Sequence, residues 1–311
     1  MASGLLRFAR NDGITLLLTP FSIALVLSAA FLHASWNALL RGGADRTQSM
    51  LVMCVTLGLA GFVMMAMAGP PSAAIGYVTA SGLIHLCYNA LLVRMYLRGD
   101  LGETYPIARG TSPALIALGG SLFAGEWMRP LAILGVGLVC SGIFMLALAR
   151  ARQAATERDL APNPRGWLSR FHGMNLPYAL ATGVSIAGYS VVDGLGVRAS
   201  HNWVAYTGGI FAFFLAMPLW YLARYGRKVF ATTTPEVIKA AGGGLISLAA
   251  YGAIIWAVQG NAMGAVSALR ETSVVFAALL GAAFLNERLN GWRLAACCII
   301  AAGAVCVGWR L

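Results

Sequence analysis

Two arginines that lie within hydrophobic stretches, Arg109 and Arg270, could bind an anion at membrane depth. Each opens one copy of a duplicated pattern, because residues 109–126 align with residues 270–287 without a gap. A guanidinium is costly in lipid, and its planar donors match the oxygens of a carboxylate or phosphate. The duplication therefore predicts one shared site. The identical positions are Arg109/Arg270, Thr111/Thr272, Ser112/Ser273, Ala117/Ala278, Leu118/Leu279, Gly120/Gly281, Phe123/Phe284 and Glu126/Glu287.

The residues around Arg109 favour a cavity. On a helix, Tyr105 lies four residues before Arg109 and Ser112 lies three residues after it, so both share its face. Pro106 and Pro113 should leave backbone carbonyls without their N–H partners. We expect these carbonyls to line the cavity.

A structural role for the arginines stays open. Arg109 could lie near a helix end, extend to the lipid headgroups and pair with Glu103. Arg270 has Glu271 beside it and Ser273 on its own face, so an ion pair is possible there too. Glu271 is therefore a candidate counter-ion or proton-coupling group.

A stripe of polar side chains predicts that two further helices face the interior. His33 and Asn37 are four residues apart in the first hydrophobic segment. His85, Tyr88 and Asn89 repeat this arrangement in the third segment. Each polar group costs free energy in hydrocarbon, so these side chains must face protein or water. They predict either substrate contacts or hydrogen bonds between helices.

Asp193 is a lone carboxylate in the sixth hydrophobic segment, with Tyr189 one turn before it. No second carboxylate shares its helical face, which favours a counter-ion of one arginine. The alternative is a proton-coupling group that alternates between charged and neutral forms. Several aromatic residues are candidate cavity walls, although Trp and Tyr also populate membrane interfaces. They are Trp36, Tyr88, Tyr105, Tyr251 and Trp256.

The composition is that of a membrane protein. The chain is 59% hydrophobic and 11% charged, whereas soluble domains are about one-quarter charged. The net charge of +11 comes mainly from arginines between hydrophobic runs, which face anionic lipid rather than nucleic acid. The six cysteines fall within hydrophobic runs and form no CxxC pair, so neither a metal site nor a cofactor is predicted.

Ten hydrophobic segments of spanning length, about 20 residues, can be marked. They are 18–40, 48–68, 73–96, 103–124, 130–149, 175–197, 203–223, 237–258, 262–285 and 291–310. We therefore predict an all-α membrane protein with an N-terminal tail (1–17), a five-helix repeat (18–149), a polar linker (150–174) and a second five-helix repeat (175–311). An odd number of helices per repeat inverts the second repeat relative to the first. Inverted repeats build transporters whose substrate site lies between the halves.

Small residues and basic residues add two expectations. Gly135 and Gly142 in the fifth segment, and Ala295, Ala296 and Gly303 in the tenth, permit close helix contact. Most basic residues fall on the side of the membrane that holds the linker. The positive-inside rule then puts the linker in the cytoplasm and both termini outside.

With these features the chain resembles the drug/metabolite transporter superfamily, specifically its EamA type. The resemblance rests on the ten segments, on HASWNALLR (33–41) in the first helix, and on Glu126 and Glu287 at the ends of segments four and nine. It implies a 5+5 inverted-repeat bundle in a bacterial inner membrane that exports small metabolites. In the superfamily's sugar-phosphate carriers, basic residues on helices four and nine hold the anion; Arg109 and Arg270 lie on those helices. Members usually have both termini in the cytoplasm, so the orientation stays open.

The expected function is secondary transport of an anionic or zwitterionic metabolite by alternating access. Beyond the small-molecule substrate and membrane lipid, no partner is predicted, and the oligomeric state is not determined. One alternative is an exporter of cationic or drug-like compounds that uses Asp193. A remote alternative is an intramembrane lipid-phosphate enzyme that uses His33, His85 and Asp193, but no catalytic motif such as GxSxG or HExxH supports it.

Overall fold

The protein is a bundle of α-helices in the computed structural model, which describes residues 18–41, 45–98, 101–157, 176–284 and 290–309. The predicted tail (1–17), residues 158–174 of the linker, and Glu287 lie outside these ranges. The helices are α1 (Pro20–Arg41), α2 (Arg46–Ala68), α3 (Ile75–Arg98), α4 (Leu101–Ala124), α5 (Pro130–Glu157), α6 (Leu176–Ser200), α7 (Trp203–Ala212), α8 (Ala216–Tyr225), α9 (Thr234–Gly260), α10 (Met263–Arg270), α11 (Ser273–Phe284) and α12 (Gly291–Gly308).

These helices coincide with the ten predicted hydrophobic segments. A single 3₁₀ turn, Phe213–Leu215, joins α7 to α8, and the two form one span. Helices α10 and α11 together occupy the ninth segment. Seven of the described segments are long and apolar enough to cross a membrane, and the molecule is accordingly a multi-pass membrane protein.

Polar side chains fix the beginning of three helices. Asp45 precedes α2, and its carboxylate accepts from the backbone N–H groups of Thr47 and Gln48. Asn202 caps α7 in the same way, and Asn290 accepts from a backbone N–H in the first turn of α12. These side chains satisfy N–H groups that have no partner within the helix.

Each helix of the first half packs mainly against a helix of the second. The principal pairs are α1 with α9, α2 with α7, α3 with α6, and α5 with α12. Helix α4 packs on α6, and correspondingly α1 packs on α10 and α11. When each helix is replaced by its counterpart in the other half, the same set of helix pairs results.

Glycines bring α5 and α12 into close contact, as predicted. A Cβ atom on Gly135 would lie 2.7 Å from the carbonyl oxygen of Gly303, and a Cβ atom on Gly303 would lie 2.7 Å from that of Gly135. The next crossing contact is at Gly142, where a Cβ atom would lie 3.0 Å from the carbonyl oxygen of Ala296. The two backbones therefore touch along this pair of helices.

An ion pair ties the two halves together at one end of the bundle. The carboxylate of Glu126, just after α4, lies 2.5 Å from the guanidinium of Arg198 near the end of α6. It also accepts from the backbone N–H of Met263, the first residue of α10, at 2.8 Å. Arg198 donates further to the carbonyls of Val258 and Asn261 at the end of α9. Glu126 thus makes an ion pair with the other half at the end of its segment.

Replacing Gly135 with alanine should destabilise the protein by about 1–3 kcal/mol, because the new methyl group overlaps the backbone of α12. Gly137 is the matched control: it lies on the same helix with nothing within 4 Å of a Cβ atom. Gly137→Ala should leave stability unchanged or raise it by up to about 1 kcal/mol, since alanine favours the helix. Thermal unfolding midpoints of both variants in detergent measure the difference. Equal midpoints would contradict the close contact.

Candidate functional site

A cavity lies between helices of the two halves and receives most of the predicted polar residues. Its volume is about 180 Å³, which is far more than one water molecule needs. Ten predicted site residues line it: His33, Trp36, Asn37, His85, Tyr88, Asn89, Arg109, Tyr189, Tyr251 and Arg270.

Arg109 is held by protein groups on all sides of its guanidinium. Its Nε donates to Glu271 Oε2 at 2.7 Å, and one terminal nitrogen donates to Ser273 Oγ at 3.0 Å. The other terminal nitrogen lies 3.0 Å from His33 Nε2. Arg109 is 6% exposed, so it does not extend to the headgroups. The structural alternative of a lipid-facing Arg109 is therefore wrong.

Glu271 reaches this position because the ninth segment is interrupted there. Helix α10 ends at Arg270, and Glu271 and Thr272 form a turn before α11 begins. The Leu269 carbonyl accepts from both the backbone N–H of Thr272, at 3.1 Å, and the Thr272 hydroxyl, at 2.7 Å. Glu271 is 0% exposed and crosses to Arg109 in the other half, so it is the counter-ion of Arg109.

Arg270 differs from Arg109 in its partners. It is 7% exposed, and its Nε lies 3.6 Å from Glu271 Oε1, an ion-pair contact beyond hydrogen-bond distance. Among the described residues it donates no hydrogen bond, and its buried Nε has no hydrogen-bond partner. The two arginines, which the repeat predicts as equivalent, are thus unequal: one is saturated and the other has unused donors.

Helix α4 stays continuous through both of its prolines, contrary to the expectation of free carbonyls. Pro113 has no N–H for the carbonyl of Arg109, and the Ser112 hydroxyl donates to that carbonyl at 3.1 Å instead. Thr111 likewise donates to the Ala108 carbonyl at 3.0 Å, the counterpart of the bond made by Thr272. Ser112 is therefore a backbone partner and does not line the cavity.

His33 is uncharged in this arrangement. Its Nε2 faces a donor of Arg109, and its Nδ1 faces the indole N–H of Trp36 at 3.3 Å. Both neighbours are donors only, and an imidazolium has no acceptor nitrogen for either. A neutral ring accepts from one of them, and the shorter contact favours Arg109.

Among the described residues Asp193 makes no ion pair with an arginine, in contrast to its expected role as counter-ion. One carboxylate oxygen accepts from Tyr206 at 3.1 Å and the other accepts from Tyr251. Asp193 is 1% exposed and lines a small separate cavity of about 20 Å³, together with Tyr251 and Arg270. The tyrosine hydroxyls supply the donors that an arginine was expected to supply.

The remaining predicted residues lie around the cavity or away from it. His85 stacks on Tyr189, with ring centroids 4.0 Å apart. Ser273 is buried and bound to Arg109. Trp256 packs edge-on against Phe21 and lines neither cavity described above. The side chain of Tyr105 lies outside the described residues.

Eleven further lining residues carried no signal in the sequence. Most are aliphatic, aromatic or sulfur-containing side chains on the inner faces of α1, α2, α7 and α9, where cavity and core residues look alike. They are Ala29, Met50, Met53, Cys54, Leu57, Ile186, Phe211, Phe214, Ser247, Ala250 and Ile254.

Ser112→Ala should cost about 1 kcal/mol of stability in the natural chain, because the Arg109 carbonyl loses its donor. The same change should cost little in a Pro113→Ala background, where the new backbone N–H can bond to that carbonyl. Thermal unfolding of the four members of this double-mutant cycle measures the coupling. Additive effects would show that the serine does not replace the missing N–H.

Comparison with known proteins agrees with this architecture. Residues 174–309 match the model of the EamA-like transporter family. No curated protein matches the sequence. A crystal structure of another protein aligns over 92% of this chain and 96% of its own with a TM-score of 0.68 and 17% identity, a likeness of fold alone. The family match lies in the second half of the all-helical membrane bundle, so residues 174–309 are similar to the EamA-like transporter family.

Proposed function

We propose that this protein is a secondary transporter of a small anionic or zwitterionic metabolite and that Arg270 binds the anionic group. The observation that carries the proposal is the guanidinium of Arg270, which lines the cavity and donates no hydrogen bond to the described residues. A buried charge without hydrogen-bond partners is costly. A carboxylate or phospho group would satisfy two parallel donors of this side chain.

The second part of the proposal is alternating access between two inverted five-helix halves. Its support is the duplicated pattern at 109–126 and 270–287 and the set of helix pairs that is unchanged when the halves are exchanged. The cavity draws its lining from both halves, as in transporters built from inverted repeats. Rocking of one half against the other would then expose the site to each side in turn.

The polar side chains near the arginines would make the remaining substrate contacts. Asn37 and Asn89 offer both donors and acceptors, and the Tyr88 hydroxyl offers one of each. All three line the cavity with Arg270. The resemblance to exporters of the family favours outward movement across a bacterial inner membrane.

The cation-exporter alternative has less support. It requires an accessible carboxylate, but Asp193 is buried and both of its oxygens accept from tyrosine hydroxyls. It lines the small cavity and not the large one. Glu271 is likewise fully buried and paired with Arg109.

Arg270→Gln should abolish acid-induced thermal stabilisation of the purified protein and lower uptake of the same acid into proteoliposomes at least about ten-fold, since a charge-assisted bidentate contact is lost. Arg94→Gln, which alters an exposed arginine on α3 outside the cavity, is the control and should behave as the natural chain does. The panel comprises carboxylic acids, phosphorylated acids, amino acids and organic cations. Stabilisation by cations alone, or acid transport that survives Arg270→Gln, would overturn the anion proposal.

A further inference from the structure

The proposed site holds two guanidinium groups, but only one of them has N–H donors that make no hydrogen bond to the described residues. The three nitrogens of Arg109 face Glu271, His33 and Ser273 at 2.7 to 3.0 Å. Arg270 donates no hydrogen bond to the described residues. The difference arises from Glu271, whose carboxylate contacts Arg109 closely and Arg270 only at 3.6 Å.

Apart from the two arginines, the described cavity wall has only two residues of a type that can become positively charged, His33 and His85. Apart from the two arginines, its described lining residues include no lysine, aspartate or glutamate. His33 is uncharged because donors face both of its ring nitrogens. Aromatic rings such as Tyr88, Phe211 and Phe214 form much of the remaining surface. This surface suits an apolar or aromatic group rather than a second charge.

Resting on the proposed function, we propose that Glu271 is a specificity-determining residue that restricts the substrate to compounds with one anionic group. Its carboxylate already occupies Arg109 as an internal anion, which leaves Arg270 for one anion of the substrate. A second anionic group would lose its water without gaining a partner. The buried carboxyl of Asp193, which lines the small cavity beside Arg270, offers such a group no compensation.

The test on the natural protein uses matched acids that differ by one carboxylate. Three pairs are propionate with succinate, 3-phenylpropionate with benzylmalonate, and norvaline with glutamate. Affinities come from isothermal titration in detergent, with 3-phenylpropionamide as the neutral control. The member with one anionic group should bind at least about ten-fold more tightly in each pair that binds, a difference of the size expected for one unpaired charge. Equal or tighter binding of the members with two anionic groups would overturn the proposal.

Variants that change the number of arginines without an anionic partner in the protein test the role of Glu271. Glu271→Gln keeps the size of the side chain but frees the charge of Arg109, and it should shift the preference toward the acids with two anionic groups. Arg109→Gln alone leaves Glu271 to pair with Arg270, and it should weaken binding of every acid. The double variant R109Q/E271Q leaves Arg270 as one unpaired charge and should restore the natural preference.

The double variant is also less exposed to misfolding than Glu271→Gln, because the loss of both Arg109 and Glu271 leaves the net charge of the site unchanged. If Glu271→Gln does not fold, Arg109→Gln and the double variant still decide the question, because they differ only in the carboxylate at residue 271. Unchanged preference in a folded Glu271→Gln protein would overturn the role of Glu271 and leave the proposed function intact. Failure of all acids to bind the natural chain would instead overturn the proposed function itself.

Discussion

One buried carboxylate determines the electrostatics at the centre of this molecule. Glu271 is fully buried, contacts Arg109 at 2.7 Å and lies 3.6 Å from Arg270. Two guanidinium groups facing each other in a low-dielectric interior would repel strongly without it. The turn at Glu271 and Thr272, which interrupts the ninth segment, is the local structure that brings this carboxylate into place. The same turn therefore ends α10 and supplies the carboxylate that balances the charge of the two arginines.

The asymmetry between the two halves has a single-residue basis. Residue 271 of the second copy of the pattern corresponds to Gly110 in the first, so only one copy supplies a carboxylate. Gly110 is buried in a continuous helix, where a Cβ atom would lie 3.3 Å from the Phe144 ring. The two copies thus hold two like charges, and the different residue at this one position makes them chemically distinct. Duplicated folds can acquire a directional site in this way without changing their helices.

Much of the fold is readable from the sequence, because lipid imposes strong limits on spanning segments. The ten hydrophobic runs, the close contact at Gly135 and Gly303, and ten of the cavity residues follow from hydropathy and from the cost of polar groups at depth. The sequence does not predict which charges pair, because helical periodicity shows which residues share a face but not how each helix is rotated within the bundle. The isolated position of Asp193 in its segment favoured a counter-ion role, whereas two tyrosines from α7 and α9 bind its carboxylate. Such contacts depend on tertiary packing that no local pattern encodes.

The ion pair between Glu126 and Arg198 would couple any separation of the two halves to the entry of water. Glu126 contacts Arg198 and the first N–H of α10, while Arg198 contacts the last carbonyls of α9. Pulling these groups apart in a dry interior would strand two charges and two helix ends, which is prohibitive. Pulling them apart in contact with water costs far less, since solvent replaces each partner. Any separation of the halves at this end would therefore require water to enter between them.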